Sequence, residues 1–124
     1  MKRIFSLITF LIFGLYHGIS QKSIVYDLQV DGLYSPIGID SETPTFSWKI
    51  DSEEYDVIQK HYQIFVATDA VFSEKSLVWD SGKVNSSESV YINFQGQTLE
   101  YATKYYWAVK VWTINLLNRN RVKL

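Results

Sequence analysis

A chain of 124 residues has room for one domain of ordinary size. Its 47% hydrophobic and 16% aromatic residues, against 20% charged, exclude a disordered polymer and predict a compact core. A formal net charge of −1 leaves no basic surplus to recruit nucleic acid or anionic membrane, and the absence of cysteine removes disulfides, thiolate metal sites and cysteine nucleophiles together.

Met1 to Ser20 opens with Lys2 and Arg3, continues through an apolar run from Ile4 to Tyr16 and closes on the small residues Gly18 and Ser20. This layout predicts a secretory signal peptide over residues 1–20, cleaved near Ser20, against the alternative of a buried helix. The expected location is secreted, periplasmic or at the cell surface, with no membrane attachment after cleavage. The run is short for a bilayer span, and no cysteine follows it to carry a lipid.

Ile24 to Val30 alternates Ile24, Tyr26, Leu28 and Val30 against Val25, Asp27 and Gln29, which predicts a strand ending at the turn pair Asp31-Gly32. Pro36 and Pro44 bracket an extended connection. Phe46, Trp48 and Ile50 then face one way in a second strand. The acidic run Asp51 to Asp56 reads as a solvated loop. A third strand over His61 to Thr68 points Tyr62, Ile64 and Val66 inward, and Asp69 to Ser76 reads as a loop with room for one helical turn. Leu77 to Asp80 is a short strand turned by Ser81-Gly82, and Val90, Ile92 and Phe94 define a fifth.

The longest strand signal is Thr103 to Trp112. Tyr105, Trp107, Val109 and Val111 share one face, and Lys104, Tyr106, Ala108, Lys110 and Trp112 share the other. Leu99, Thr103 and Tyr105 have the spacing of a tyrosine corner, in which a Tyr at the start of the sixth strand bonds its hydroxyl to backbone a few residues upstream. Six short strands between turn signals predict an all-β, fibronectin type III or immunoglobulin-like antiparallel β-sandwich over residues 21–112, preceded by the signal peptide. Residues 113–124 lack clean alternation. Either Asn120 to Leu124 forms a poor last strand or the reading frame is cut or shifted here; the second is preferred, and it leaves a sheet edge exposed.

Three groups of segments carry a resemblance. They are Ser35-Pro36-Ile37-Gly38-Ile39-Asp40 with Pro44-Thr45-Phe46-Ser47-Trp48, then His61-Tyr62-Gln63-Ile64-Phe65-Val66-Ala67 with Val78-Trp79-Asp80-Ser81-Gly82-Lys83-Val84, and last Leu99, Thr103 and Tyr105 to Trp112. In this order and spacing they resemble the N-terminal fibronectin-III-like domain of bacterial α-L-rhamnosidases, the inverting enzymes of glycoside hydrolase family 78. The resemblance implies an accessory domain that precedes further β-domains and an (α/α)6 barrel holding the catalytic carboxylates. No residue here matches that barrel, so the resemblance transfers no catalytic residue. Thr113-Ile114-Asn115 stands where the family commonly has an Asp and a Gly-containing turn.

Inversion at a glycosidic bond needs two carboxylates about 6.5–9.5 Å apart across the sugar. Asp51, Glu53, Glu54 and Asp56 instead crowd one polar stretch with no apolar pocket to make one of them an acid. His17 lies in the leader, which leaves His61 as the one mature histidine, more consistent with a surface residue than with a base or ligand. No catalytic, cofactor-binding or metal-ligating residue is therefore expected. Asn85-Ser86-Ser87 fits a glycosylation acceptor but reads as a turn.

Tyr106 and Trp112, outward by parity, are the candidate interaction surface. They could stack on a sugar or be covered by a missing strand or a neighbouring domain. The expected partners are thus the adjoining catalytic and β-domains of a rhamnosidase, or a glycan. Two readings follow: a non-catalytic accessory domain of a secreted α-L-rhamnosidase, and a free-standing carbohydrate- or protein-binding module.

Overall fold

The computed structural model describes Arg3–Leu7 and residues 23–116. Every named element is a strand: β1 (Arg3–Leu7), β2 (Ser23–Val30), β3 (Ile37–Ile39), β4 (Thr45–Ser52), β5 (Val57–Ala67), β6 (Leu77–Asp80), β7 (Ile92–Asn93) and β8 (Lys104–Asn115). They form two layers, a five-stranded sheet in the order β3-β1-β8-β5-β6 and a three-stranded sheet in the order β2-β4-β7. All pairings are antiparallel except β1 with β8, which is parallel. This is the all-β sandwich that the strand pattern predicts.

The core is the space between the layers. The larger sheet contributes Tyr62, Ile64, Val66, Tyr105, Trp107, Val109 and Val111, and the smaller contributes Val25, Leu28, Val30, Phe46, Trp48 and Ile92. The inward faces of β4, β5 and β8 are those expected from their period of two. Two aromatic contacts lock the layers together: Phe46 lies 4.7 Å from Trp107 between ring centroids, and Trp48 meets Tyr62 edge-on at 5.3 Å. Burying each of these side chains contributes about 1.5–3 kcal/mol. With no disulfide available, this packing carries the stability.

β2 departs from simple alternation. Val25 is buried, while Ile24 and Tyr26 are exposed, and only Leu28 and Val30 keep the predicted inward phase. The reason is a bulge. Asp27 sits at φ 54, and the pairing with β4 shifts register between Tyr26 and Gln29, which reverses the faces of the preceding residues. The carboxylate of Asp27 anchors the distortion, ion-paired with Lys49 Nζ at 2.6 Å and hydrogen-bonded by the Tyr34 hydroxyl and by Gln29 Nε2. Beyond it, Asp31 (φ 49) and Gly32 (φ 76) make the expected turn, and Asp31 Oδ1 accepts the Thr45 amide at 2.7 Å, tying the end of β2 to the start of β4.

Strand lengths also differ from the sequence pattern. β5 begins at Val57, directly after the acidic run and ahead of the expected start at His61, because Val57, Ile58 and Gln59 pair with Asn115, Ile114 and Thr113. β8 accordingly runs on to Asn115, whose side-chain amide donates to Glu54 Oε2 at 2.6 Å. The fifth predicted strand shrinks to Ile92–Asn93, although Ile92 and Phe94 are both buried as expected. In the 69–76 loop, Asp69 accepts the amides of Val71 and Ser73, and Ser76 and Leu77 both donate to the Ser73 carbonyl, closing one turn.

The expected export leader falls largely on residues outside those described. Its described part, Arg3–Leu7, is a strand and fills the β8 edge opposite Lys104 to Trp107, an edge expected to be open. A last strand at Asn120 to Leu124 likewise lies outside the described residues.

Candidate interaction face

The outer face of the larger sheet is built by β5 and β8. Cross-strand pairing sets His61 beside Trp112, Gln63 beside Lys110, Phe65 beside Ala108 and Ala67 beside Tyr106. Tyr106 and Trp112 do share this face, as parity predicts, but six residues of extended chain hold them about 20 Å apart. They make two local environments and not one site. Both are half-buried, and the alanines between them, Ala67 and Ala108, are fully covered.

Each candidate ring carries lysine. Lys83 Nζ lies 4.5 Å and Lys110 Nζ 4.8 Å from the Trp112 centroid, while the His61 ring meets the indole edge-on at 6.3 Å. Lys104 Nζ lies 5.0 Å from the Tyr106 centroid. A cation over an aromatic ring is worth about 0.5–1 kcal/mol at exposed sites. A sugar stacking on Trp112 would have to displace an ammonium group.

His61 is held below its ordinary pKa of 6.5, first by desolvation and then by the charges of Lys83 and Lys60. No carboxylate contributes to that shift, so the histidine lacks the acidic partner that would orient it as a base. Among the described residues, no three His, Cys, Asp or Glu side chains come together to hold a metal ion. Of the acidic run, Glu54 is engaged structurally by Asn115.

Two features escaped sequence reasoning. Gln59 is buried and central: its Oε1 accepts the Trp48 indole N–H at 2.9 Å, and its Nε2 donates to the carbonyls of Ser86 at 3.0 Å and Glu88 at 2.8 Å. It clamps the segment that follows Asn85, whose own side chain is exposed. Periodicity gave no signal for it: Gln59 shares the parity of outward His61 and Gln63, and it turns inward only because the pairing with β8 shifts register between Gln59 and His61. The second is an open groove of about 720 Å³ beside the tyrosine corner, lined in part by Thr68, Trp79, Gln95, Gln97, Glu100 and Tyr105. Trp79 reaches it while stacked on Phe46 and meeting Phe94 edge-on, so its ring belongs to the core as much as to the groove. By contrast, Asp80, Ser81 and Gly82 do the turn chemistry expected of them: Asp80 Oδ1 accepts the Gly82 amide, and Ser81 Oγ accepts the Ile64 amide.

A two-layer sandwich with a tyrosine corner and an outer face of aromatic and lysine side chains defines an immunoglobulin-like domain. The family described as Rha78A-like, N-terminal immunoglobulin domain, matches residues 25–116, and the chain belongs to it. An α-L-rhamnosidase of Formosa agariphila is 41% identical over 95 residues, covering 74% of this chain and 10% of the relative. One of Streptomyces avermitilis is 39% identical over 83 residues, covering 67% and 8%. Among solved structures, the Streptomyces avermitilis α-L-rhamnosidase complexed with L-rhamnose superposes with a TM-score of 0.70 at 36% identity, over 74% of this chain and 9% of that one. The α-L-rhamnosidase of Dictyoglumus thermophilum gives 0.67 at 36% identity, over 72% and 10%. The chain thus spans about a tenth of the length of the relatives it matches.

Proposed function

We propose that this chain is the non-catalytic N-terminal accessory domain of a secreted α-L-rhamnosidase acting on rhamnose-containing glycans by inversion. Its work is structural: the outer face of β5 and β8, with Phe65, Tyr106 and Trp112, provides a surface on which the adjoining catalytic and β-domains rest. The observation that carries the reading is the similarity to α-L-rhamnosidases, at 41% identity over 95 residues, confined to about a tenth of their length. The lysines over Trp112 and Tyr106 favour a packed or solvated face over a sugar platform. The Lys2-Arg3 start and the apolar run to Tyr16 support export.

The test is a graft. Residues 23–116 replace the matching segment of the Streptomyces avermitilis enzyme, and the chimera is assayed with an aryl α-L-rhamnoside. Retained activity and solubility are expected, whereas the isolated chain hydrolyses nothing. Rhamnoside cleavage by the isolated chain, abolished by one carboxylate substitution, would overturn the proposal, as would a chimera that folds but has lost all activity.

A further inference from the structure

β1 is the one strand whose pairing the sandwich pattern does not require. It lies between β3 and β8, antiparallel to the first through Arg3↔Ile39 and Ile4↔Ile37, and parallel to the second through Ile4↔Lys104, Phe5↔Tyr105, Ser6↔Tyr106 and Leu7↔Trp107. The register is chemically matched. Phe5 and Leu7 stand at the positions of Tyr105 and Trp107, the two buried residues of this stretch, while Ser6 stands at the position of half-buried Tyr106. Among the described residues β3 has no other ladder, so β1 also joins Ile37–Ile39 to the larger sheet.

We infer that the slot between β3 and β8 is a strand-acceptor site and that Arg3–Leu7 is its occupant while the N-terminal segment stays on the chain. Main-chain hydrogen bonds supply the affinity of such an added strand, and alternate side-chain positions supply the selectivity. The slot takes an extended peptide of about five residues with apolar side chains at alternate positions. Loss of the segment bares the edge of Lys104 to Trp107 and the Ile37–Ile39 strand in one step. This inference rests on the two ladders and is independent of the rhamnosidase reading.

Hydrogen exchange on the full chain, produced without export, tests it. Consecutive prolines at Ile4→Pro and Phe5→Pro remove donors toward both neighbours. The amides of Lys104 to Trp107 that face β1, and those of Ile37–Ile39, should then exchange about tenfold faster or more, while the alternate β8 amides that face β5 stay protected and report an intact fold. A synthetic peptide of residues 2–8 added in trans should restore the lost protection. Unchanged exchange in the double-proline variant overturns the inference, and so does a loss that saturating peptide fails to reverse. A variant that instead regains protection by forming dimers would show that the slot accepts a strand but that a second copy outcompetes the peptide, which overturns Arg3–Leu7 as the preferred occupant.

Discussion

The hydroxyl of Tyr105 accepts the backbone N–H of Glu100 at 2.8 Å, five residues upstream. Tyr105 is only 3% exposed, so this bond keeps the polar tip of a buried ring satisfied and fixes the arch by which the chain enters β8. Tyr105→Phe keeps the ring and removes the acceptor. We expect a loss of about 1–2 kcal/mol in urea unfolding with an unchanged m-value. A variant as stable as the parent would show that the corner is held by other contacts.

Gln59 serves three partners at once, the Trp48 indole and the carbonyls of Ser86 and Glu88. Gln59→Leu leaves all three without it and should destabilise the domain by about 1–3 kcal/mol. The Trp48 indole N–H resonance should shift, and the 86–89 amides should exchange faster than those of β5. Gln59→Glu keeps an acceptor for the indole but not the two donated bonds, so the Trp48 resonance should be disturbed less than the loop.

The Asp27–Lys49 pair sets a window of pH. Asp27 lies below its ordinary 3.8, chiefly because Lys49 hydrogen-bonds it and then because Tyr34 does. A carboxyl with a lower pKa folded than unfolded adds stability that is present above pH 3.8 and lost as pH falls through its folded value. Lys49 is raised above 10.5 by Asp27, so its share is present below that pH and lost as pH rises through its folded value. The difference in urea midpoint between the parent and Asp27→Asn should therefore form a plateau that declines at both ends. Asp69, lowered by Ser73, remains in both proteins and cancels. A flat difference across the acid range would remove the pair from the account.

His61 offers a reading of the outer face. Desolvation is the first cause of its lowered pKa and Lys83 the second. Lys83→Gln should raise the pKa, followed by NMR titration, part of the way toward 6.5, because burial against Trp112 persists. Full recovery would mean that charge outweighs desolvation; no movement would mean that Lys83 does not lie over Trp112 in solution.

Much of the architecture is legible from periodicity alone, because β4, β5 and β8 each turn alternate large apolar residues to the core: Phe46 and Trp48, Tyr62 to Val66, and Tyr105 to Val111. Tyr105 announces its corner through its spacing from Leu99. β2 is the instructive failure. Its alternation looks regular through Val30, yet one aspartate in the left-handed region inverts the residues before it, and the partners that hold it there, Lys49 and Tyr34, come from elsewhere in the chain. The ends of β5 and β8 were hidden for a related reason. Polar Gln59, Thr113 and Asn115 look like loop until Gln59 is set opposite Thr113 and Asn115 opposite Val57, and their value lies in the pairing. At the candidate face, parity placed Tyr106 and Trp112 correctly on one side, but it carries no information on the lysines that fold over them.

The Asp27 bulge also governs how the molecule meets its own kind. β2 is the outermost strand of the smaller sheet, and the opposite border, β7, is only two residues long. The larger sheet is bordered by β3 with three residues and β6 with four. A long flat border would invite a second molecule to extend the sheet. Among the described residues three of these four are too short to template one, and the fourth is bent midway around a charged side chain, so the place left for a sheet to grow is β8, where Arg3–Leu7 covers only Lys104 to Trp107.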